Sequence, residues 1–201
     1  VTNQVLYNGL SVNPVNVTYT IKYSSNVWTI TYTSKGACTS EMLRYFYRPL
    51  QGWCINLMFT TVSVTHDEAL TMCRDNGSTL TGAINDYEHQ FFLASAVVFK
   101  DYVSGDGYVV RLDGVRSTAC QSTPNSATCK SVKGFTFTDK NIDTISYYSF
   151  ATSSGAKATS ESNCLVMVVN GAKPVVTDVQ SCSASTNLPA MAFMCGRPAW
   201  Q

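Results

Sequence analysis

Thr65-His66-Asp67-Glu68-Ala69-Leu70-Thr71-Met72-Cys73 is the stretch from which the fold is read. Its first four residues form a capping box, in which the threonine oxygen accepts from the Glu68 amide and the glutamate side chain accepts in return from the backbone of the threonine. Ala69, Leu70, Met72 and Cys73 then supply an inner face, and Asn76-Gly77 a stop, so the spacing predicts a helix with a cysteine on it. Asn85-Asp86-Tyr87-Glu88 repeats the box. Phe91, Phe92, Leu93, Ala96, Val97 and Phe99 follow as a broad apolar stripe, which must pack against a sheet.

The sequence around these two helices is β-rich. Val15, Val17, Tyr19, Ile21 and Tyr23 alternate with polar residues, Trp28, Ile30 and Tyr32 form a second run, and Ser24-Ser25-Asn26 is the turn between them. Residues 1–36 are therefore expected to be an N-terminal β-hairpin extension ahead of a domain at 37–201. After the turn pair Asp106-Gly107, strand residues come at Tyr108, Val109, Val110 and Leu112 and again at Phe135 and Phe137. Leu165–Val169 and Met191–Met194 make two last strands. Ser149 to Ser162, small and polar throughout, reads as an exposed loop. Helices and strands mixed in this order predict an α+β fold.

Eight cysteines, at Cys38, Cys54, Cys73, Cys120, Cys129, Cys164, Cys182 and Cys195, with no C-x-x-C among them, predict four disulfides and an oxidising compartment. Cysteines in that number allow on the order of a hundred pairings. The chain starts at Val1 without a basic, apolar leader, and the expectation is a secreted or surface ectodomain whose signal has been removed. Asn16-Val17-Thr18 and Asn76-Gly77-Ser78 would accept glycans in that compartment.

At 201 residues the chain is long enough for one real core, burying roughly 70% of its unfolded surface. Fourteen basic and 13 acidic residues leave a net charge of +1, without the field that nucleic-acid and anionic-membrane binders use. Arg44-Tyr45-Phe46-Tyr47-Arg48 is accordingly read as a strand of a hairpin between Cys38 and Cys54 and not as a base-stacking platform. Apolar runs such as Leu165–Val169 fall far short of the ~20 residues that span a bilayer, so membrane insertion is not expected.

Catalytic chemistry finds no foothold. His66 and His89, the only histidines, stand outside any H-x-x-x-H or H-E-x-x-H pair and read as surface residues, and no G-x-S-x-G elbow is present. Asp67 and Glu68 suit a helix start, Gly105-Asp106-Gly107 is a turn, and a bridged cysteine cannot serve as a thiolate. The expectation is a protein that is not an enzyme, with no catalytic residues and no metal.

Several of these residues also form an ordered set. Trp53-Cys54, then Ala69 and Cys73, then Gly77, Leu80, Ile84, Asn85 and Glu88 are followed by Asp113-Gly114-Val115-Arg116, Ala119-Cys120 and Cys129. Phe135-Thr136-Phe137-Thr138-Asp139, Cys164-Leu165-Val166-Met167, Cys182 and Phe193-Met194-Cys195-Gly196-Arg197-Pro198 complete it. From about Cys38 to Pro198 the sequence resembles a C-type lectin-like domain of the long form, and most of all the secreted nematode C-type lectins. The resemblance implies two helices flanking two small antiparallel β-sheets, with a long loop region that carries ligands. It also implies four pairs: Cys73 with Cys195, Cys164 with Cys182, Cys38 with Cys54, and Cys120 with Cys129.

Sugar-binding members of that family hold calcium with a Glu-Pro-Asn or Gln-Pro-Asp triplet in the long loop and a Trp-Asn-Asp near the penultimate cysteine. Here Ser154 to Asn163 has no proline triplet, and Val175 to Ser181 has no tryptophan and carries Asp178 one place out of step. Glu161, Asn163 and Asp178 are the candidate remnants of such a site. Three oxygens without a rigid proline do not make a hard-cation cage, and Lys157 and Lys173 add positive charge nearby, so no cofactor is expected. Leu112-Asp113-Gly114 replaces the family's Trp-Ile-Gly core motif, which leaves Asp113 needing a partner, Arg111 or Arg116, or an altered surface.

The function expected is that of a secreted, non-enzymatic recognition module for an extracellular protein or other noncanonical surface ligand. The surface assigned to it runs from about Ser117 to Asn163 with the aromatics Tyr147, Tyr148 and Phe150 exposed. Two alternatives stand beside it: calcium-independent carbohydrate binding through aromatic stacking, and a structural or adhesion role in an extracellular coat through the edge of the N-terminal hairpin.

Overall fold

The computed structural model describes residues 17–24, 27–34, 38, 44–100, 107–148, 150, 162–171, 175–183 and 188–199. The alternating N-terminal runs form β1 (Val17–Ser24) and β2 (Val27–Ser34), an antiparallel pair with Val17 opposite Ser34 and Tyr23 opposite Trp28. They make a two-stranded sheet of their own.

The remaining strands belong to one sheet of eight. In chain order the elements are β3 (Arg44–Tyr47), β4 (Gly52–Phe59), α1 (His66–Asp75), β5 (Thr79–Leu80) and α2 (Asp86–Phe99). They continue with β6 (Gly107–Arg116), β7 (Phe135–Thr136), β8 (Ser162–Asn170), β9 (Val176–Ser181) and β10 (Ala190–Pro198). The order across the sheet is β3-β4-β10-β6-β8-β9, with β5 on β10 and β7 on β6. Two antiparallel portions, β3-β4-β10 and β6-β8-β9, are thus made continuous by the parallel pairing of β10 with β6. Strand β6 lies at that join and is buried along its whole length except at Val115, which is why Tyr108 to Val110 reads as an apolar run instead of an alternating one. Phe137 falls just beyond β7 and is buried in the core without joining the sheet.

Helix α1 starts with the full box: the Glu68 amide donates to Thr65 Oγ1 at 3.1 Å, and the Thr65 amide donates to Glu68 Oε2 at 2.7 Å. It stops at Asn76, where Gly77 takes φ +66° and the amides of Gly77 and Ser78 donate to the carbonyls of Arg74 and Cys73. Ala69, Leu70 and Cys73 pack with Phe193 and Leu80 in a small cluster beneath it. Helix α2 crosses the main core, where Phe92 and Ala96 are fully buried against Ile55, Tyr108 and Met194. Burial of the Tyr108 phenol, whose hydroxyl donates to the Ala96 carbonyl, holds its pKa well above the usual range. Val97, expected in the packed stripe, is 54% exposed, because one residue past Ala96 turns it away from the sheet.

All eight cysteines are bridged: Cys38–Cys54, Cys73–Cys195, Cys120–Cys129 and Cys164–Cys182. The second ties α1 to the last strand across a sequence separation of 122.

Three expectations are corrected here. His66 and His89 are not surface residues, at 3% and 4% exposure: each sits at the buried side of its helix's first turn, His66 with Nδ1 3.4 Å from Asp67 Oδ1 and His89 against the Tyr148 ring at 5.7 Å. Burial, opposed by Asp86, lowers the His89 pKa. Asp113 is buried and bonded to neither Arg111 nor Arg116; it accepts from Thr138 Oγ1 and from the Asp139 amide, both at 2.7 Å. Desolvation raises its pKa against the pull of those bonds. Arg111 instead donates to the backbone carbonyls of Val64, Ser181 and Ser183, and burial lowers its pKa to about 10.

Candidate functional site

Arg48, at the end of the first hairpin strand, is completely buried. A buried guanidinium must be neutralised and its donors satisfied. Nε and Nη2 fork onto Glu88 at 2.9 and 2.8 Å, Nη1 donates to Asp139 Oδ2 at 2.7 Å, and Nη2 also reaches the Gly82 carbonyl at 2.7 Å. Thr81 Oγ1 donates to Asp139 Oδ2 at 2.5 Å, and the Trp53 ring lies 5.0 Å from the guanidinium carbon. Glu88 is the residue expected to complete the second capping box. Asn85 Oδ1 does accept from the Glu88 amide at 2.8 Å, but the Glu88 carboxylate serves Arg48 and the Ile84 amide.

Three segments distant in sequence each carry an exposed tyrosine beside a buried residue, the first two beside members of this cluster. Tyr47 precedes Arg48, Tyr87 precedes Glu88, and Tyr147 precedes Tyr148, whose buried hydroxyl accepts from the Ala83 amide at 2.9 Å. Tyr47, Tyr87 and Tyr147 are 50%, 52% and 43% exposed and border one groove of about 500 Å³. Phe46 lies in its wall, edge-on to Tyr87 with ring centroids 6.0 Å apart. Asn85, Asp86 and Gln90 supply the polar lining. Among the described residues the three phenol hydroxyls have no hydrogen-bond partner.

Of the aromatics expected to be exposed, only Tyr147 is. Tyr148 is 7% exposed, and its burial raises the phenol pKa beyond the ordinary range. Phe150 is half-buried, edge-on to Tyr148 at 6.2 Å and bridged to Thr177. Tyr47 and Tyr87 were not foreseen as site residues. The signal for Tyr47 lay in the strand alternation, since Phe46 and Arg48 point inward on either side of it.

Of the three candidate calcium remnants, Asp178 and Asn163 lie among the described residues. Asp178 turns its Oδ1 to the Val179 amide at 2.8 Å and its Oδ2 to Gln180 Nε2 at 3.1 Å. Asn163 is buried in β8, and Arg116 is buried too, its pKa lowered by desolvation against the smaller opposing influence of Asp178. Among the described residues no cluster of three His, Cys, Asp or Glu side chains has metal-binding spacing. Glu161, Asn16 and most of the loop from Ser149 to Glu161 lie outside the described residues; Asn76 is exposed at the end of α1, its amide donating to the Met72 carbonyl.

Residues 48–197 match the family described as C-type lectin domain-containing protein 141/158. No curated protein matches the chain. Among solved structures, the chain is similar to the C-type lectin domain of murine dendritic cell inhibitory receptor 2, solved in complex with N-glycan. That likeness has 10% identity and a TM-score of 0.51, and covers 81% of this chain and 99% of that one. The C-type carbohydrate-recognition domain of cow CD23 aligns with 12% identity, a TM-score of 0.50, and 83% and 100% coverage. Human lithostathine aligns with 11% identity, a TM-score of 0.51, and 81% and 91% coverage.

Proposed function

Because the chain belongs to the C-type lectin domain-containing protein 141/158 family, we propose that it is an extracellular, non-enzymatic recognition module that binds a protein or other surface ligand at the Tyr47–Tyr87–Tyr147 groove without calcium. One observation carries this reading: three exposed tyrosines with unpartnered hydroxyls surround a single groove, each next in the chain to a residue locked in the core. Exposed tyrosines give large contact area at low entropic cost, and a rigid base lowers the cost of binding further. Four bridged disulfides and the exposed sequon at Asn76 support an extracellular setting.

The test is capture of ligand from extracellular material by the whole domain, with and without chelator, using the wild type and a Tyr47→Leu/Tyr87→Leu/Tyr147→Leu variant. Capture that survives chelator and is lost in the variant is expected. Loss on chelation alone, or undiminished capture by the variant, overturns the reading. Carbohydrate is the second ligand class, favoured by the Asn85 and Gln90 amides and the Asp86 carboxylate beside the rings; glycan-array binding that persists in chelator would select it.

A further inference from the structure

Among the described residues the lining of the tyrosine groove is one-sided in charge: it has one carboxylate, Asp86, and no lysine, arginine or histidine. We propose that the groove seats a guanidinium, the arginine side chain of a protein partner, stacked on a tyrosine face and hydrogen-bonded to Asp86. The proposal rests on the groove being the binding surface.

The ring faces of Tyr47, Tyr87 and Tyr147 carry the negative part of the aromatic quadrupole and attract a cation laid on them. Asp86 is exposed, with Oδ1 accepting from Gln90 Nε2 at 3.4 Å, a long bond that an arginine donor displaces at little cost. Its Oδ2 has no partner among the described residues. The second, independent observation is the charge locked beneath. Arg48 contributes +1, while Glu88 and Asp139 contribute −1 each, so the cluster carries a formal −1. Those groups are 0–1% exposed, where solvent screens them least, and two of them adjoin groove tyrosines in the chain. His89, buried with its pKa lowered, adds no compensating positive charge. An anionic ligand would meet the Asp86 carboxylate and the negative ring faces, offset only by the Asn85 and Gln90 amides and the first turn of α2. Between the two biological cations, guanidinium fits better than ammonium. It is planar and weakly hydrated, it stacks on rings, and its donor fork matches a carboxylate.

The experiment is an NMR titration of the whole isotope-labelled domain with acetyl-Gly-Arg-Gly-amide, with the same peptide carrying uncharged citrulline, and with a neutral oligosaccharide. Saturable shifts at residues 47, 85–90 and 147 with the arginine peptide alone are expected, diminishing as salt is raised. Asp86→Asn should weaken that binding about three- to fivefold while leaving the remaining spectrum unchanged. Equal binding of the citrulline peptide, shifts confined to another surface, or indifference to Asp86→Asn overturns the proposal. An oligosaccharide that moves the same resonances where the arginine peptide does not overturns it too and gives the groove to a glycan. The two readings fail separately. If the triple tyrosine variant loses native ligand while the arginine peptide fails to bind, the groove stands and its cation does not; if that variant keeps its ligand, the groove itself is refuted.

Discussion

Arg48 and Glu88 are 40 residues apart in the chain and meet as a forked ion pair with both side chains fully buried. The pair joins the turn of the first hairpin to the first turn of α2, and Asp139 extends it to a third segment. Breaking such a cluster costs more than the cluster contributes, because the surviving partners stay buried and unpaired.

Arg48→Ala is therefore expected to destabilise the domain by about 3–5 kcal/mol in urea unfolding. Replacing the whole group, as Arg48→Met/Glu88→Gln/Asp139→Asn, should recover a large part of that loss. A single-variant cost within ~1 kcal/mol of zero, the range of a surface pair, would refute the burial described.

The disulfides differ in weight. Removal of Cys73–Cys195 as a double serine variant frees a loop with a separation of 122, against a separation of 9 for Cys120–Cys129. Chain-entropy arguments give about 5 and about 2.5 kcal/mol. Thermal unfolding of the two double variants should rank them in that order, and equal losses would count against it.

Gly114 adopts φ +133°, and a Cβ there would lie 2.4 Å from Leu165 Cδ1 and 2.9 Å from Phe137 Cε1. Backbone strain and overpacking add, so Gly114→Ala should cost roughly 2–4 kcal/mol. A variant with an unchanged unfolding midpoint would show that the core yields at this point.

His89 sets a slope of stability against pH. Burial holds its folded pKa below the ordinary 6.5, so between 6.5 and that lower value the unfolded chain binds more protons than the folded one. Its contribution is complete above 6.5 and is lost as the pH falls through the window to the depressed native value. Urea midpoints should drop across that range in the wild type and drop less in His89→Gln; identical slopes would assign the effect to other groups.

What could be read from the sequence was local. The α1 box, its stop at Asn76-Gly77 and the hairpin at Val17–Ser34 depend on residues within a few positions of one another. Glu88 looked like a local cap and became a long-range partner, because a buried guanidinium 40 residues upstream draws its carboxylate away from the Asn85 amide, leaving it shared between Arg48 and the Ile84 amide. The polar neighbours of His66 and Tyr148 suggested the surface, whereas helix orientation and the Ala83 amide draw both inside. The apolar run of β6 marks a strand buried on both faces but does not say that β10 is its parallel partner. In the groove, Tyr147 was legible as an exposed aromatic, while Tyr47 and Tyr87 required knowing which neighbours were anchored.

The bridges also determine how the domain bears tension. Tyr47 lies inside the covalent loop closed by Cys38–Cys54, and Tyr87 and Tyr147 lie inside the one closed by Cys73–Cys195. A pull on the segments outside these loops runs through sulfur, from Cys38 to Cys54 and from Cys73 to Cys195, and bypasses all three tyrosines. A ligand held in the groove is thereby shielded from mechanical load along the chain for as long as the disulfides stay oxidised.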